Sequence, residues 1–192
     1  MRFQIASDLH LEYLPEDNIN ILDYITPSCE ILILAGDISS IYRYKQLYNF
    51  LKSATEVFQH VIFVPGNHEY YTQPGIYAVK IHELRKKLYS IRFENLYILD
   101  RNSIIIEDIL VAGCTFWSSL KKEDSDELNF FPKFRVKIHN LSPKTYNFYH
   151  ERDIDFVESM KIKAKSNDLQ LVIVSHYAPS KQLAKNIKRN VS

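Results

Sequence analysis

The stretch HVIFVPGNHE, residues 60–69, decides how the rest of the chain is read. Its first five residues form a short apolar run with β-branched enrichment, a pattern that fits a buried strand. Gly66 then supplies a tight strand-to-loop turn, and Asn67, His68 and Glu69 follow it directly. Polar side chains are thus set at the carboxyl end of a strand, where open α/β sheets carry their chemistry.

The same arrangement recurs along the chain. Apolar runs at residues 2–7, 30–35, 103–112 in two pieces and 171–175 predict further strands. Asp8 and His10 follow the first of these, Gly36 and Asp37 the second, and His176 the last. Helical spacing predicts amphipathic segments carrying Leu47, Phe50, Leu51, Ala54, Val57 and Phe58, then Ile76, Val79, Leu84 and Leu88, then Phe156, Val157, Met160 and Ala164. These stripes read as core. Residues 118–147, with Pro132, Pro143 and the run KKEDSDE, read as a long irregular excursion, a solvated loop. Strands alternating with helices predict an α/β fold around central mixed or parallel β-sheets flanked by helices.

Length and composition bound the function. With 192 residues, 46% hydrophobic and 24% charged, the chain is expected to form a single domain over residues 1–192. Its 24 basic and 23 acidic residues nearly cancel, so no global field recruits nucleic acid or an anionic membrane, and any phosphate recognition is local. Cys29 and Cys114 stand far apart and offer no thiolate cage, which suits a reducing, cytoplasmic setting. The opening MRFQIASDLH is too soon interrupted to serve as a secretory signal, and no apolar run approaches the roughly 20 residues of a membrane helix.

Asp8 and His10, two apart on an extended segment, are expected to project to one face and to clamp a single ion. With Asp37, Asn67 and His176 they make a set of two carboxylates, one amide and two imidazoles. Such donors suit Mn, Fe or Zn better than Mg or Ca. A carboxylate such as Asp37 has two oxygens and can bridge two ions, and ions about 3.5 to 4 Å apart can share a hydroxide and clamp an in-line phosphoryl displacement. Buried carboxylates and imidazoles that converged without an ion would each need another partner, and the alternative is a polar network that only stabilises turns.

DLH at 8–10, AGD at 35–37, PGNHE at 65–69 and SHYAPS at 175–180 resemble, in order and spacing, the calcineurin-like metallophosphoesterases, and VAGCTFW at 111–117 is similar to a strand of a bacterial-type branch. The resemblance runs from residue 2 to about 180. It implies a metallophosphoesterase-type layered fold and two divalent metal ions, the first held by Asp8, His10 and Asp37 and the second by Asp37, Asn67 and His176. It implies that His68 is the non-ligand histidine that stabilises or protonates the leaving oxygen. It also implies a hydrolase acting on phosphomonoesters or phosphodiesters through a metal-activated hydroxide.

Two departures qualify that implication. The family closes with a GHxH segment that completes both metal sites, and no GHxH occurs here. Partial metal loading, missing last strands and a truncated or split chain, open to aggregation or to a second chain that completes the fold, are the corresponding expectations. A catalytically impaired remnant or binding module that keeps the fold and a partial metal site is the alternative function. Secondly, Asp37 is followed by Ile38, Ser39, Ser40 and Ile41 where the protein-phosphatase branch has GDxVDRG, which removes the main support for a protein phosphatase. Arg43 reads as a surface arginine, His60, His82, His139 and His150 as structural or surface residues, and Lys185, Lys188 and Arg189 as a solvated end. Tyr70 and Tyr71 either line a substrate mouth or pack beneath the GNHE turn.

Overall fold

The computed structural model of the chain describes residues 1–71, 81–120 and 142–180. Strands β1 (Phe3–Ala6), β2 (Ile31–Ala35), β3 (His60–Val64) and β4 (Leu96–Ile98) lie in that order in one sheet, each pair parallel. In the other sheet β6 (Ile109–Cys114) is central, antiparallel to β5 (Asn102–Ile106) and parallel to β7 (Gln170–Ser175). Helices α1 (Tyr44–Val57), α2 (Ile81–Leu88) and α3 (Pro143–Ser166) flank the sheets, and short 3-10 turns at Leu11–Tyr13, Ile21–Asp23, Ile41–Arg43 and His68–Tyr70 join the elements. This is the α/β arrangement of a parallel and a mixed sheet flanked by helices that the strand pattern predicts, and each predicted strand is found.

The continuous ILILA of β2 follows from its position between two cores. Leu32 and Leu34 pack with Leu47, Phe50 and Leu51 of α1, whereas Ile31 and Ile33 pack with Ile62, Val64, Val111 and Val174 between the sheets. A strand covered on both faces has no solvent side and so shows no alternation. Each such aliphatic side chain contributes roughly 1.5 to 3 kcal/mol on burial. The ends of β2, β3 and β7 are therefore held in a fixed relation. Ile5 of β1 is paired with Ile33 yet is 67% exposed, β1 being an edge strand among the described residues. No described helix is long and apolar enough to cross a membrane.

Three details depart from the sequence reading. Residues 143–147 belong to α3 and are not irregular, since Pro143 opens the helix and the Ser142 hydroxyl accepts from the Thr145 N–H at 3.1 Å. Proline has no N–H to lose in the first turn, so here it starts a helix rather than interrupting one. Residues 121–141 of that stretch, Ile76, Val79, His139 and the basic tail lie outside the described residues. The stripe of α1 is buried except for Val57, while of the four stripe residues on α3 Ala164 is buried and Phe156, Val157 and Met160 are half-covered. Strand β4 is only three residues long and leaves too little pattern to be predicted.

Helix α3 is tied to the second sheet by a buried carboxylate. Asp153 accepts from the Trp117 N–H at 2.9 Å and from Arg101 Nη1 at 2.7 Å. The segment after β6 is fixed further where the Thr115 hydroxyl donates to the Pro65 carbonyl at 2.8 Å, which joins it to the loop after β3.

Candidate metal centre

Four loops meet at the carboxyl ends of β1, β2, β3 and β7. The loop after β1 runs beside the loop after β2, with the N–H groups of Asp8, His10 and Leu11 donating to the carbonyls of Gly36, Asp37 and Ile38 at 2.9 to 3.0 Å. Asp8, His10 and Asp37 all adopt left-handed backbone conformations, with φ of 57°, 49° and 54°. The expected projection of Asp8 and His10 from an extended segment is thus corrected. The strand ends at Ala6, and two left-handed kinks, which Asp and His tolerate better than most residues, turn both side chains to one side.

Asp37 is the hub of the site. Its carboxylate is 4% exposed, and its two oxygens face different groups. Oδ2 lies 4.0 Å from His10 Nε2 and 3.8 Å from His68 Nε2. Oδ1 lies 3.4 Å from His176 Nε2 and accepts the His68 backbone N–H at 2.9 Å. Burial opposes its ionisation, but the hydrogen bond and charge of His176, together with His68, hold the carboxyl below its usual value. Asp8 Oδ1 stands 4.0 Å from His10 Nε2 at the open side.

His176 is presented by its far nitrogen. Nδ1 donates to the Ala35 carbonyl at 3.0 Å, which leaves Nε2 facing Asp37 and, at 3.2 Å, Asn67 Oδ1. Burial lowers its pKa, yet the Asp37 carboxylate more than compensates and raises it to about 9. Asn67 is gripped at both ends of its amide: Oδ1 accepts from the Tyr177 hydroxyl at 2.7 Å, and Nδ2 donates to the Tyr71 hydroxyl at 2.8 Å. Tyr71 also lays its ring 4.3 Å from that of His68, whereas Tyr70 is buried with its hydroxyl donating to Asp100 at 3.0 Å. Of the two tyrosines left open by the sequence, one therefore borders the site and the other packs.

Glu69 holds the loops together and reaches no imidazole. It is 1% exposed and accepts from the N–H groups of Gly66 at 2.7 Å, Asp37 at 3.0 Å and Ile38 at 2.7 Å. Burial and the neighbouring Asp37 charge push its carboxyl up to about 7 against those three amides. Glu12, which the sequence reading leaves unassigned, is buried behind the histidines, with Oε1 2.6 Å from His68 Nδ1. The only sign of it in the sequence is its place two residues beyond His10 in DLHLE.

The remaining polar candidates lie elsewhere. Arg43 is not a solvated surface arginine: Nη2 donates to the carbonyls of Leu14, Pro15 and Glu16 at 3.0 to 3.3 Å and pairs with Asp17 at 3.1 Å, which anchors the loop after β1. His150 Nδ1 donates to the Trp117 carbonyl, His60 stands beside Tyr97, and His82 beside Glu83.

The donor chemistry fits divalent metal. Asp8, His10 and Asp37 each offer one ligand atom, and these atoms all lie within 4.8 Å of one another. His176 Nε2 lies between the other Asp37 oxygen and Asn67 Oδ1, at 3.4 and 3.2 Å. A buried carboxylate ringed by imidazole Nε2 atoms offers oxygen and nitrogen donors to a divalent ion.

The chain is 25% identical over 188 residues to an uncharacterized protein of Acanthamoeba polyphaga mimivirus, an alignment that takes in 91% of this chain and 66% of that protein. The chain therefore spans just under two thirds of the length of this relative. Among solved structures, phosphopantetheinyl hydrolase from Mycobacterium tuberculosis shares the fold with a TM-score of 0.65 at 19% identity, covering 96% of this chain and 71% of the other. The family model for calcineurin-like phosphoesterases matches residues 1–189, a span that takes in all four site loops, and on that match the chain belongs to the calcineurin-like phosphoesterase family.

Proposed function

We propose that the chain is a metal-dependent phosphoesterase that hydrolyses phosphomonoesters or phosphodiesters at the ends of β1, β2, β3 and β7. The supporting observation is the division of Asp37: one oxygen faces His10 and His68, the other faces His176. In this reading Asp8, His10 and Asp37 hold one ion, and Asp37, Asn67 and His176 hold a second. Divalent ions there supply Lewis acidity toward a phosphate ester and make water a competent nucleophile near neutral pH.

The chain's own residues supply the rest. Burial lowers the His68 pKa, but its hydrogen bond to Glu12 and the charge on Asp37 raise it above the ordinary value, which favours the protonated ring. His68 then gives that proton, from Nε2, to the departing alkoxide or phenoxide oxygen of the ester. Arg43 is committed to the carbonyls of residues 14–16 and does not serve the phosphate. Tyr71 and the exposed Tyr13, whose ring lies 6.3 Å from that of His68, border the leaving-group side.

The test is turnover of bis(p-nitrophenyl) phosphate and p-nitrophenyl phosphate by the purified chain, stripped with EDTA and reloaded with manganese. Hydrolysis that falls more than about a hundredfold in Asp37→Asn supports the reading, since even supporting residues of metal sites cost 10 to 100-fold. No turnover, with less than one ion bound per chain, supports the impaired remnant instead.

A further inference from the structure

We infer that Glu12 is a positioning residue shared by His10 and His68, one carboxylate oxygen hydrogen-bonded to His68 Nδ1 and facing His10 Nδ1 so that both rings present Nε2 to Asp37. This deepens the phosphoesterase reading and rests on it for the chemistry, though not for the geometry. Glu12 Oε1 lies 2.6 Å from His68 Nδ1 and 3.5 Å from His10 Nδ1. On the other side of the two rings, Asp37 Oδ2 lies 3.8 Å and 4.0 Å from the corresponding Nε2 atoms. The ring centroids are 4.3 Å apart with an interplanar angle of 69°, an edge contact that suits two imidazoles converging at both ends.

The setting of Glu12 supports this role over a purely architectural one. The residue is 6% exposed, its Oε2 has no hydrogen-bond partner, and His10 Nδ1 has none either. A buried carboxylate kept without other polar support is costly, and the adjacent imidazoles are the groups that offset the cost. Glu69, three short backbone donors around it, shows how this fold treats a carboxylate whose task is to hold loops. Glu12 has no such shell. A carboxylate behind a histidine holds the Nδ1–H and the ring orientation and favours the imidazolium, so Nε2 either ligates through its lone pair or, when protonated, carries the proton that is given forward. For His68 the result is an Nε2 that carries the proton for the leaving oxygen; His10, whose Nδ1 stands 3.5 Å from Glu12 Oε1 without a hydrogen bond, is drawn by the same charge with its Nε2 toward Asp37.

Two measurements test the inference. In the metal-free chain, nitrogen-15 spectra of the histidine rings should show a proton on His68 Nδ1, with a low-field resonance that disappears in His68→Ala and moves upfield in Glu12→Gln. In the manganese-loaded chain, Glu12→Gln should slow phenyl esters at least about tenfold more than p-nitrophenyl esters, because the poorer leaving group depends on the proton that His68 donates. Glu12→Asp, which keeps the charge, should recover part of the difference. An unprotonated His68 Nδ1, an unchanged resonance in Glu12→Gln, or equal losses across the ester series overturns the inference. The tautomer is read on the unaltered chain and so survives any failure of a variant to fold. A chain that turns over no ester at all ends the phosphoesterase reading, while the resonance still decides Glu12.

Discussion

The Asp37 carboxylate and the His176 imidazole face each other at 3.4 Å, although β2 and β7, which deliver them, belong to different sheets. Each group changes the other: Asp37 is held below its usual range, and His176 is raised to about 9. The pair therefore links the two sheets electrostatically at the point where metal is proposed to bind.

A pH dependence of stability follows for the EDTA-treated chain. His176 titrates near 6.5 when unfolded and about 9 when folded, so its contribution is full below about pH 6.5 and is lost as pH rises toward 9. Asp37 works in the opposite sense: its contribution is present above its unfolded pKa and is lost as pH falls through the depressed folded value. Urea denaturation between pH 5 and 10 should show a decline of about 3 kcal/mol across the upper window, and His176→Ala should flatten it. Manganese should bind more tightly as pH rises, because the ligand imidazole must give up its proton. A decline of equal size in His176→Ala would remove the assignment.

Glu69 sits among backbone amides of two loops, and its replacement should act on stability before chemistry. Glu69→Gln keeps the shape but turns one acceptor oxygen into an N–H donor, which meets either the Gly66 and Asp37 N–H groups at the Oε2 position or the Ile38 and Ser39 N–H groups at the Oε1 position. At about 1 to 3 kcal/mol for each buried donor left unpaired, the variant should lose on the order of 3 kcal/mol. Equilibrium unfolding with circular dichroism measures it. Because the loops carry Asp37 and Asn67, calorimetric titration should also show weaker manganese binding, although Glu69 is no ligand. An unchanged unfolding midpoint would mean that the loops hold their form without it.

Much of this arrangement was legible in the residue order. The β-branched runs mark their strands because covered strands need apolar side chains on both faces, and the polar residues after them mark the strand ends. What escaped was set by tertiary context. Pro143 reads as a breaker until Ser142 is seen capping the helix behind it. Asp8 and His10 meet through left-handed kinks that no side-chain period encodes. Glu12 carries no motif signal of its own, since its value lies in where the DLHLE turn places it relative to His68, 56 positions later. Arg43 has the right charge for phosphate capture, but the carbonyls of the neighbouring loop claim it first.

Gly36 offers the sharpest steric prediction. Its φ is +88°, in the left-handed region where a side chain is strained, and a Cβ built on it would come within 2.5 Å of His176 Nδ1 and 2.8 Å of Gly66 Cα. The backbone of Gly66 cannot yield easily, because its N–H is bound to Glu69. The His176 ring would have to move instead, breaking its bond to the Ala35 carbonyl and withdrawing Nε2 from Asp37. Gly36→Ala should therefore cost about 1 to 3 kcal/mol of stability and weaken manganese binding in the same variant. A substitution on the far side of the fold, Ile105→Thr at a half-exposed strand position, should leave metal binding unchanged and serves as the control. If Gly36→Ala binds manganese as tightly as the parent chain, then His176 is not where the ion is held, and the two-sided role of Asp37 falls with it.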